Sequence, residues 1–135
     1  MELFVDTSAF ISLANRKDQF HPLARGFLET IDSRTKFHSS NYIIDEAITR
    51  IRITAGHASA TAFGKNIFSS KLYQIHYVNQ EVEQEAFKLF EKYSDKKLSF
   101  TDCTSFALMK GLNIKKAFAF DEDFVHSGFE TVPKR

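Results

Sequence analysis

Acidic side chains stand at the points of this sequence where a reactive site could assemble. Asp6 and Asp121 each directly follow a short apolar run, Asp102 opens a helical segment, and Glu46 lies within another. A cluster of carboxylates without Cys or adjacent His suits Mg²⁺ or Mn²⁺ better than Zn²⁺. The chemistry that such a site would support is metal-assisted attack of water on a phosphodiester.

The elements that must position these acids follow from the alternation of apolar runs with helical patterns. Strands are predicted at the runs Leu3–Val5 and Ala117–Phe120, at the β-rich stretch Leu72–Val78, and more weakly at Thr35–Ser39 and Phe129–Val132. Strands that alternate with helices indicate a parallel sheet in an α/β sandwich. The predicted helices are Thr7–Asn15, Phe20–Ile31, one with its N-cap at Ser40-Asn41, His57–Ser69, Val82–Tyr93, and Thr101–Lys110 with Gly111 as its C-cap.

This architecture predicts where the acids meet. In open parallel sheets, ligands bind beyond the carboxyl ends of the strands. If their strands are neighbours, Asp6 and Asp121 emerge at the same edge, and a helix that starts at Asp102 can face it. Carboxylates gathered in this way repel one another, and burial raises their pKa values unless a cation compensates.

Each acid also has a structural interpretation. Asp6 and Asp121 are suited to cap the helices that follow them. The spacing of Ser99 and Asp102 fits a capping box, and Glu46 can pair with the arginine four residues later on its helix. Spacing alone therefore leaves a metal site and a set of structural acids equally open.

Length and composition exclude several classes of protein. The 135 residues suit one domain, predicted over residues 1–135, and 43% apolar with 26% charged residues is typical of a folded globular chain. A lone cysteine, Cys103, excludes an internal disulfide framework and a cysteine-based zinc finger. No stretch approaches the ~20 apolar residues of a membrane span, and the N-terminus lacks the pattern of a signal peptide, so we expect a cytoplasmic protein without membrane attachment.

Four blocks of the sequence resemble the motifs of PIN-domain proteins. They are Phe4–Phe10, Ser40–Glu46, Leu98–Ala107 and Phe118–Phe124, with the strongest resemblance in the last two. The blocks run in the family's order, and the matched region extends from residue 3 to about residue 132. The resemblance therefore covers nearly the whole chain.

This resemblance implies a fold, an activity and a set of site residues. The PIN fold is a three-layer α/β/α sandwich around a central, mainly parallel sheet. Members are typically Mg²⁺- or Mn²⁺-dependent ribonucleases, and small stand-alone members are often toxins of the VapC kind. The family's acidic quartet maps onto Asp6, Glu46, Asp102 and Asp121, all expected to be catalytic and to bind the metal, while Asp123 could supplement or replace Asp121 as a ligand.

Supporting roles are assigned by position. The hydroxyl that follows the family's first aspartate maps onto Ser8, and Thr101 and Ser105 flank Asp102, where helix capping or packing is the competing interpretation. Because the net charge is only +1, contact with RNA must come from a local patch. The segment from residue 34 to 71 carries six basic side chains against two acidic ones. The basic residues considered for contact with phosphates near the acids are Arg50, Arg52, Lys96 and Lys97, with a solvated surface as the alternative.

Partners and alternative functions complete the expectation. The resemblance implies an RNA substrate, a small antitoxin that covers the acidic pocket, and a homodimer. A non-catalytic PIN module that binds RNA or a protein partner is the main alternative. A phosphotransfer domain is disfavoured, because phosphatases need a second acid where Ser8 stands and receiver domains need a lysine after a late strand, whereas Lys115 and Lys116 precede theirs.

Overall fold

A computed structural model describes residues 1–135 and shows five parallel strands. The strands are β1 (Glu2–Val5), β2 (Lys36–Ser40), β3 (Tyr73–His76), β4 (Lys116–Phe118) and β5 (Glu130–Val132). They lie in the order β3-β2-β1-β4-β5, and every neighbouring pair is parallel. All five strands therefore end at the same edge of the sheet, with β1 at the centre and β4 beside it.

Seven helices connect and cover the strands. They are α1 (Thr7–Ala14), α2 (His21–Thr30), α3 (Asn41–Ala55), α4 (His57–Ser69), α5 (Gln80–Lys92), α6 (Phe100–Leu112) and α7 (Asp123–His126). None of them is both long enough and apolar enough to cross a membrane. The predicted α/β architecture is confirmed, and only the single-turn α7 was not predicted.

Burial on both faces of the sheet shows that the sandwich has three layers. Leu3, Phe4 and Val5 of β1 are all fully buried, although successive side chains of a strand point to opposite faces. On one face the Phe10 ring of α1 packs against Tyr73 with centroids 5.6 Å apart, and Phe27 of α2 packs against Phe118 at 4.9 Å. The other face must be covered as well, since Phe4 has no exposed surface.

The end of α6 differs from the sequence-based expectation. Gly111 is not the C-cap, because the helix continues to Leu112 and Asn113 adopts the left-handed conformation with φ 56° and ψ 39°. The N–H of Ile114 then donates to the carbonyl of Met109 at 2.9 Å, which closes the last turn. Asparagine tolerates this conformation better than most residues do, since its short polar side chain can form local hydrogen bonds.

Candidate active site

The carboxyl ends of the two central strands place the first two acids. Asp6 directly follows β1, and its backbone N–H donates to the carbonyl of Phe118 at the end of β4, 3.0 Å away. The Asp6 side chain is only 4% exposed and caps α1 by accepting from the Ser8 N–H. Asp121 lies three residues beyond β4, so both acids stand at one edge, as the topology predicted.

The Ser8 side chain connects these two segments. Its hydroxyl donates to Oδ2 of Asp6 at 2.6 Å and accepts from the backbone N–H of Phe120 at 3.0 Å. The backbone N–H of Ser8 also reaches Asp6 Oδ2, at 3.2 Å. Ser8 therefore fixes the Asp6 carboxylate and links the start of α1 to the residue just before Asp121.

Asp102 enters the site from the first turn of α6. It forms a capping box with Ser99, whose hydroxyl accepts from the Asp102 N–H at 3.0 Å while the Ser99 N–H donates to Asp102 Oδ2 at 3.2 Å. The structural interpretation of this acid is thus correct. It does not exclude a role in the site, because the second carboxylate oxygen, Oδ1, has no protein hydrogen bond and remains available as a ligand.

Three carboxylates come together at this edge of the sheet. One oxygen each from Asp102, Asp121 and Asp123 lies within 4.8 Å of the others, and all three residues are half-buried. Asp121 accepts the backbone N–H of Asp123 at 2.9 Å, so the turn after β4 holds both side chains on the same side. Asp121 and Asp123 therefore both belong to the cluster.

The negative charge of the clustered carboxylates favours the binding of a cation. Burial raises the pKa of Asp6 to about 6, opposed by the Ser8 hydrogen bonds and reinforced by the charge of Asp121. The pKa of Asp102 is raised to about 7 by burial and then by the charge of Asp6, and burial together with Asp121 raises the pKa of Asp123. No lysine or arginine forms an ion pair with any of these acids. Oxygen donors with uncompensated negative charge fit a hard divalent cation, which Asp102, Asp121 and Asp123 could hold with Asp6 beside them.

Comparison with known proteins then identifies the family. The model of the PIN domain family matches residues 3–130. The chain belongs to the PIN domain family. The resemblance carried by the four sequence blocks is thereby confirmed.

Relatives of this PIN domain include an RNA-cleaving toxin. The chain is 32% identical over 130 residues to the 23S rRNA-specific endonuclease VapC20 of Mycobacterium tuberculosis, covering 96% of this chain and 97% of the relative. The crystal structure of VapC20, described as a sarcin–ricin loop cleaving toxin, matches with a TM-score of 0.88 and 31% identity over 94% of this chain and 95% of that one.

More distant structures share the fold alone. VapBC2 from Rickettsia felis, bound to a DNA fragment from its promoter, matches with a TM-score of 0.73 and 10% identity, covering 97% of each chain. FitAcB from Neisseria gonorrhoeae matches with a TM-score of 0.72 and 12% identity, covering 98% of this chain and 97% of that one. The three-layer architecture is therefore kept where most side chains have changed.

Glu46 of this PIN domain stands apart from the other acids. It is half-buried on α3 and forms neither a hydrogen bond nor an ion pair, so the predicted surface pair with Arg50 is not present. Its carboxylate lies outside the group of Asp102, Asp121 and Asp123, and it is not among the main influences on the pKa of Asp102. The structure thus brings together the other acids of the predicted set and leaves Glu46 at the periphery.

Two buried hydroxyls near the acids have no hydrogen-bond partner. They belong to Thr7, which directly follows Asp6, and to Ser105, three residues after Asp102 on α6. Thr101 is half-buried, and its carbonyl accepts from the hydroxyl of Thr104 at 2.6 Å. Sequence reasoning singled out Ser105 and Thr101 but missed Thr7, because only burial distinguishes this threonine from an ordinary first-turn residue.

The four predicted basic residues occupy different surroundings. Arg50 lines a small cavity together with Asp121, whereas Arg52 lies about 200° further round the same helix, on its other side. The ammonium of Lys96 donates to the carbonyl of His126 at 3.4 Å, and its charge counteracts the raised pKa of Asp123. Lys97 is exposed and forms no ion pair or hydrogen bond. Of the four predicted basic residues, Arg50 and Lys96 are therefore the ones beside the acids.

A larger cavity than this one lies elsewhere in the molecule. It has a volume of about 610 Å³ and is lined mainly by apolar side chains of α1, α2 and α4, among them Phe10, Leu28 and Phe63. None of the clustered acids reaches it. Cavity volume alone would thus have drawn attention to a surface that lies apart from the acid cluster.

Proposed function

We propose that this PIN domain is an endoribonuclease that hydrolyses RNA phosphodiester bonds with a divalent metal ion, Mg²⁺ or Mn²⁺. The observation that carries the proposal is the approach of three carboxylates within 4.8 Å, beside the buried Asp6 and without a paired cation. The 32% identity to an endonuclease over nearly the full length of both chains supports the same activity.

Each acid has a role in this proposal. Asp102, Asp121 and Asp123 would hold the cation, and Asp6 adds negative charge at the buried end of the cluster. Glu46 completes the acidic quartet from α3 when substrate and metal are present. A bound divalent cation supplies Lewis acidity, which lowers the pKa of water and neutralises charge on the scissile phosphate.

The remaining side chains orient the acids and the substrate. Ser8 holds Oδ2 of Asp6 and so fixes the orientation of this carboxylate beside the other acids. The charge of Lys96 favours the ionised form of Asp123, and its ammonium is close enough to the cluster to attract phosphate. Thr101 and Ser105 support the first turn of α6, from which Asp102 projects.

The relatives support a proposal for the biological setting. We propose that the substrate is a structured RNA, with ribosomal RNA as the first candidate since VapC20 carries that specificity in its name. The protein is then the toxin of a VapBC-type pair in the cytoplasm, restrained by a small antitoxin that covers the acidic edge. A homodimer remains a prediction of the family resemblance.

Cleavage of a labelled RNA by the purified protein tests the proposal. We expect cleavage with Mg²⁺ or Mn²⁺, none in excess EDTA, and a loss of at least about 100-fold in rate for Asp102→Asn. Glu91→Gln, which removes an exposed charge from α5, is the matched control and is expected to retain the fold and to lose little activity. Binding of RNA without cleavage in either metal would instead favour a non-catalytic PIN module.

A further inference from the structure

A second, smaller cavity opens beside the acid cluster, and the cleavage chemistry does not use it. Its volume is about 180 Å³, well above the ~30 Å³ that one water occupies in the liquid. We call it the side cavity. The residues that define it here are Ser8 and Asp121 towards the acids, Phe20 and Phe120 along one wall, and Gln19 and Arg50 at the outer rim.

The wall of the side cavity is held in place by its own contacts. The Asp18 carboxylate accepts from the backbone N–H of Phe20 at 2.9 Å and from the Ser12 hydroxyl at 2.8 Å, which ties the segment between α1 and α2 to α1. The Phe20 ring stacks on Phe120 in parallel planes with centroids 4.6 Å apart. A fixed aromatic wall therefore stands next to the residue that leads into Asp121.

The rim offers hydrogen-bonding groups that the protein itself leaves unused. The side chains of Arg50 and Gln19 are exposed and form no hydrogen bond or ion pair. A guanidinium carries five N–H donors in a planar fork, and a glutamine amide carries two donors and an acceptor. Planar donors next to aromatic rings are the combination by which proteins recognise an unpaired base in RNA.

Charge argues for a base and against a second phosphate. The side cavity is lined by the cationic Arg50 and by the carboxylates of Asp18 and Asp121, so an anion inside it would be attracted by one charge and repelled by two. A neutral, flat group with acceptors on one edge satisfies Arg50 without facing that repulsion. Guanine presents two such acceptors, O6 and N7, in the spacing that an arginine fork matches.

We propose that the side cavity binds one unpaired guanine of the RNA, next to the phosphate held at the acid cluster, and that Arg50 selects this base. Phe20 provides the apolar wall against which the base packs, and Gln19 supplements its hydrogen bonds. The inference rests on the proposed ribonuclease function, because the acid cluster must hold the neighbouring phosphate.

Binding of short single-stranded RNAs tests the inference independently of cleavage. Two oligonucleotides that differ only in having one guanine or one 7-deazaguanine, which lacks the N7 acceptor, are titrated onto the Asp102→Asn protein by fluorescence anisotropy. We expect the guanine oligonucleotide to bind at least about fivefold more tightly. In Asp102→Asn combined with Arg50→Ala the two affinities should become equal, whereas Arg52→Ala on the other side of α3 should preserve the difference.

The outcomes separate this inference from the proposed function. Equal affinities in the Asp102→Asn protein, or a preference that survives Arg50→Ala, would overturn the guanine site even if the wild-type protein cleaves RNA. Cleavage by Asp102→Asn at the wild-type rate would instead contradict the acid-cluster mechanism. Because the Arg50 side chain is exposed and unpaired, the protein with both Asp102→Asn and Arg50→Ala is expected to unfold at the same temperature as Asp102→Asn alone, which excludes misfolding as the cause of a lost preference.

Discussion

At the scale of single residues, the acids of this PIN domain are held where ionisation is costly. Burial raises the pKa of Asp6 to about 6, against 3.8 for the ordinary side chain. Below pH 4 the carboxyl is protonated in both the folded and the unfolded chain. Between about pH 4 and pH 6 the unfolded chain releases the proton that the folded chain keeps, so this group makes the folded state less stable as the pH rises.

Asp6→Asn should therefore stabilise the metal-free protein, and the gain should depend on pH. We expect little difference in unfolding temperature near pH 4 and a rise at pH 8, on the order of 1–3 kcal/mol or several degrees. Calorimetric unfolding in EDTA across this range measures the difference between the two proteins. If Asp6→Asn unfolds at or below the wild-type temperature at pH 8, ionisation of the buried Asp6 carboxyl group does not destabilise the folded protein.

Ser8 should matter for both stability and activity. In Ser8→Ala the Phe120 N–H loses its acceptor and Asp6 loses a donor, which should cost about 1–3 kcal/mol and lower kcat through a misplaced carboxylate. Ser8→Thr keeps the hydroxyl and is the matched control. Urea unfolding and RNA cleavage of the two variants check the prediction, and equal behaviour of Ala and Thr at this position would refute it.

At the scale of elements, the end of α6 gives the sharpest contrast between sequence and structure. A glycine after the last residues of a helical pattern is the usual signal for a C-cap, and on that signal the helix should end at Gly111. The structure places the left-handed residue at Asn113 and leaves Gly111 inside the helix. Both residues are compatible with a helix end, and local sequence does not say which one the packing of Ile114 into the core selects.

Substitution of two glycines tests that assignment. A Cβ at Gly111 would meet no atom within 4 Å, so Gly111→Ala should stabilise the protein by about 0.5–1 kcal/mol through its better helix propensity. Gly56, between α3 and α4, has φ +97°, and alanine there should destabilise by about 1 kcal/mol or more. Urea unfolding measures both changes, and a loss of stability in Gly111→Ala would restore the C-cap interpretation.

Other strands and helices could be predicted because their sequence patterns are local. The strands β1 and β4 are apolar runs closed by an acid or near one, and α4 has the bounds that its pattern predicted. The strand predicted over Leu72–Val78 is shorter in the structure, since β3 pairs only with the four residues from Phe37 to Ser40 in β2. The extent of that strand depends on its partner and not on its own composition.

At the scale of the whole molecule, the sheet order creates the site. Asp6 and Asp121 are more than a hundred positions apart in the chain, and they share an edge because β1 and β4 are paired in parallel. Sequence patterns predicted the strands and the acids, and the family resemblance predicted which acids belong together. The sequence allowed Asp123 either to supplement or to replace Asp121, and it placed Glu46 with the other acids. The positions of these side chains in the structure depend on tertiary contacts such as the hydrogen bond between the Asp123 N–H and Asp121, which the sequence does not reveal.

Titration of the purified, metal-free protein with Mn²⁺ at pH 8, followed by calorimetry, tests the central claim that these carboxylates converge on a divalent cation. We predict saturable binding that is lost in Asp102→Asn and kept in Glu91→Gln, which removes an exposed charge from α5. Binding of Mn²⁺ by Asp102→Asn as tight as by the wild type, or no binding by the wild type at all, would contradict it.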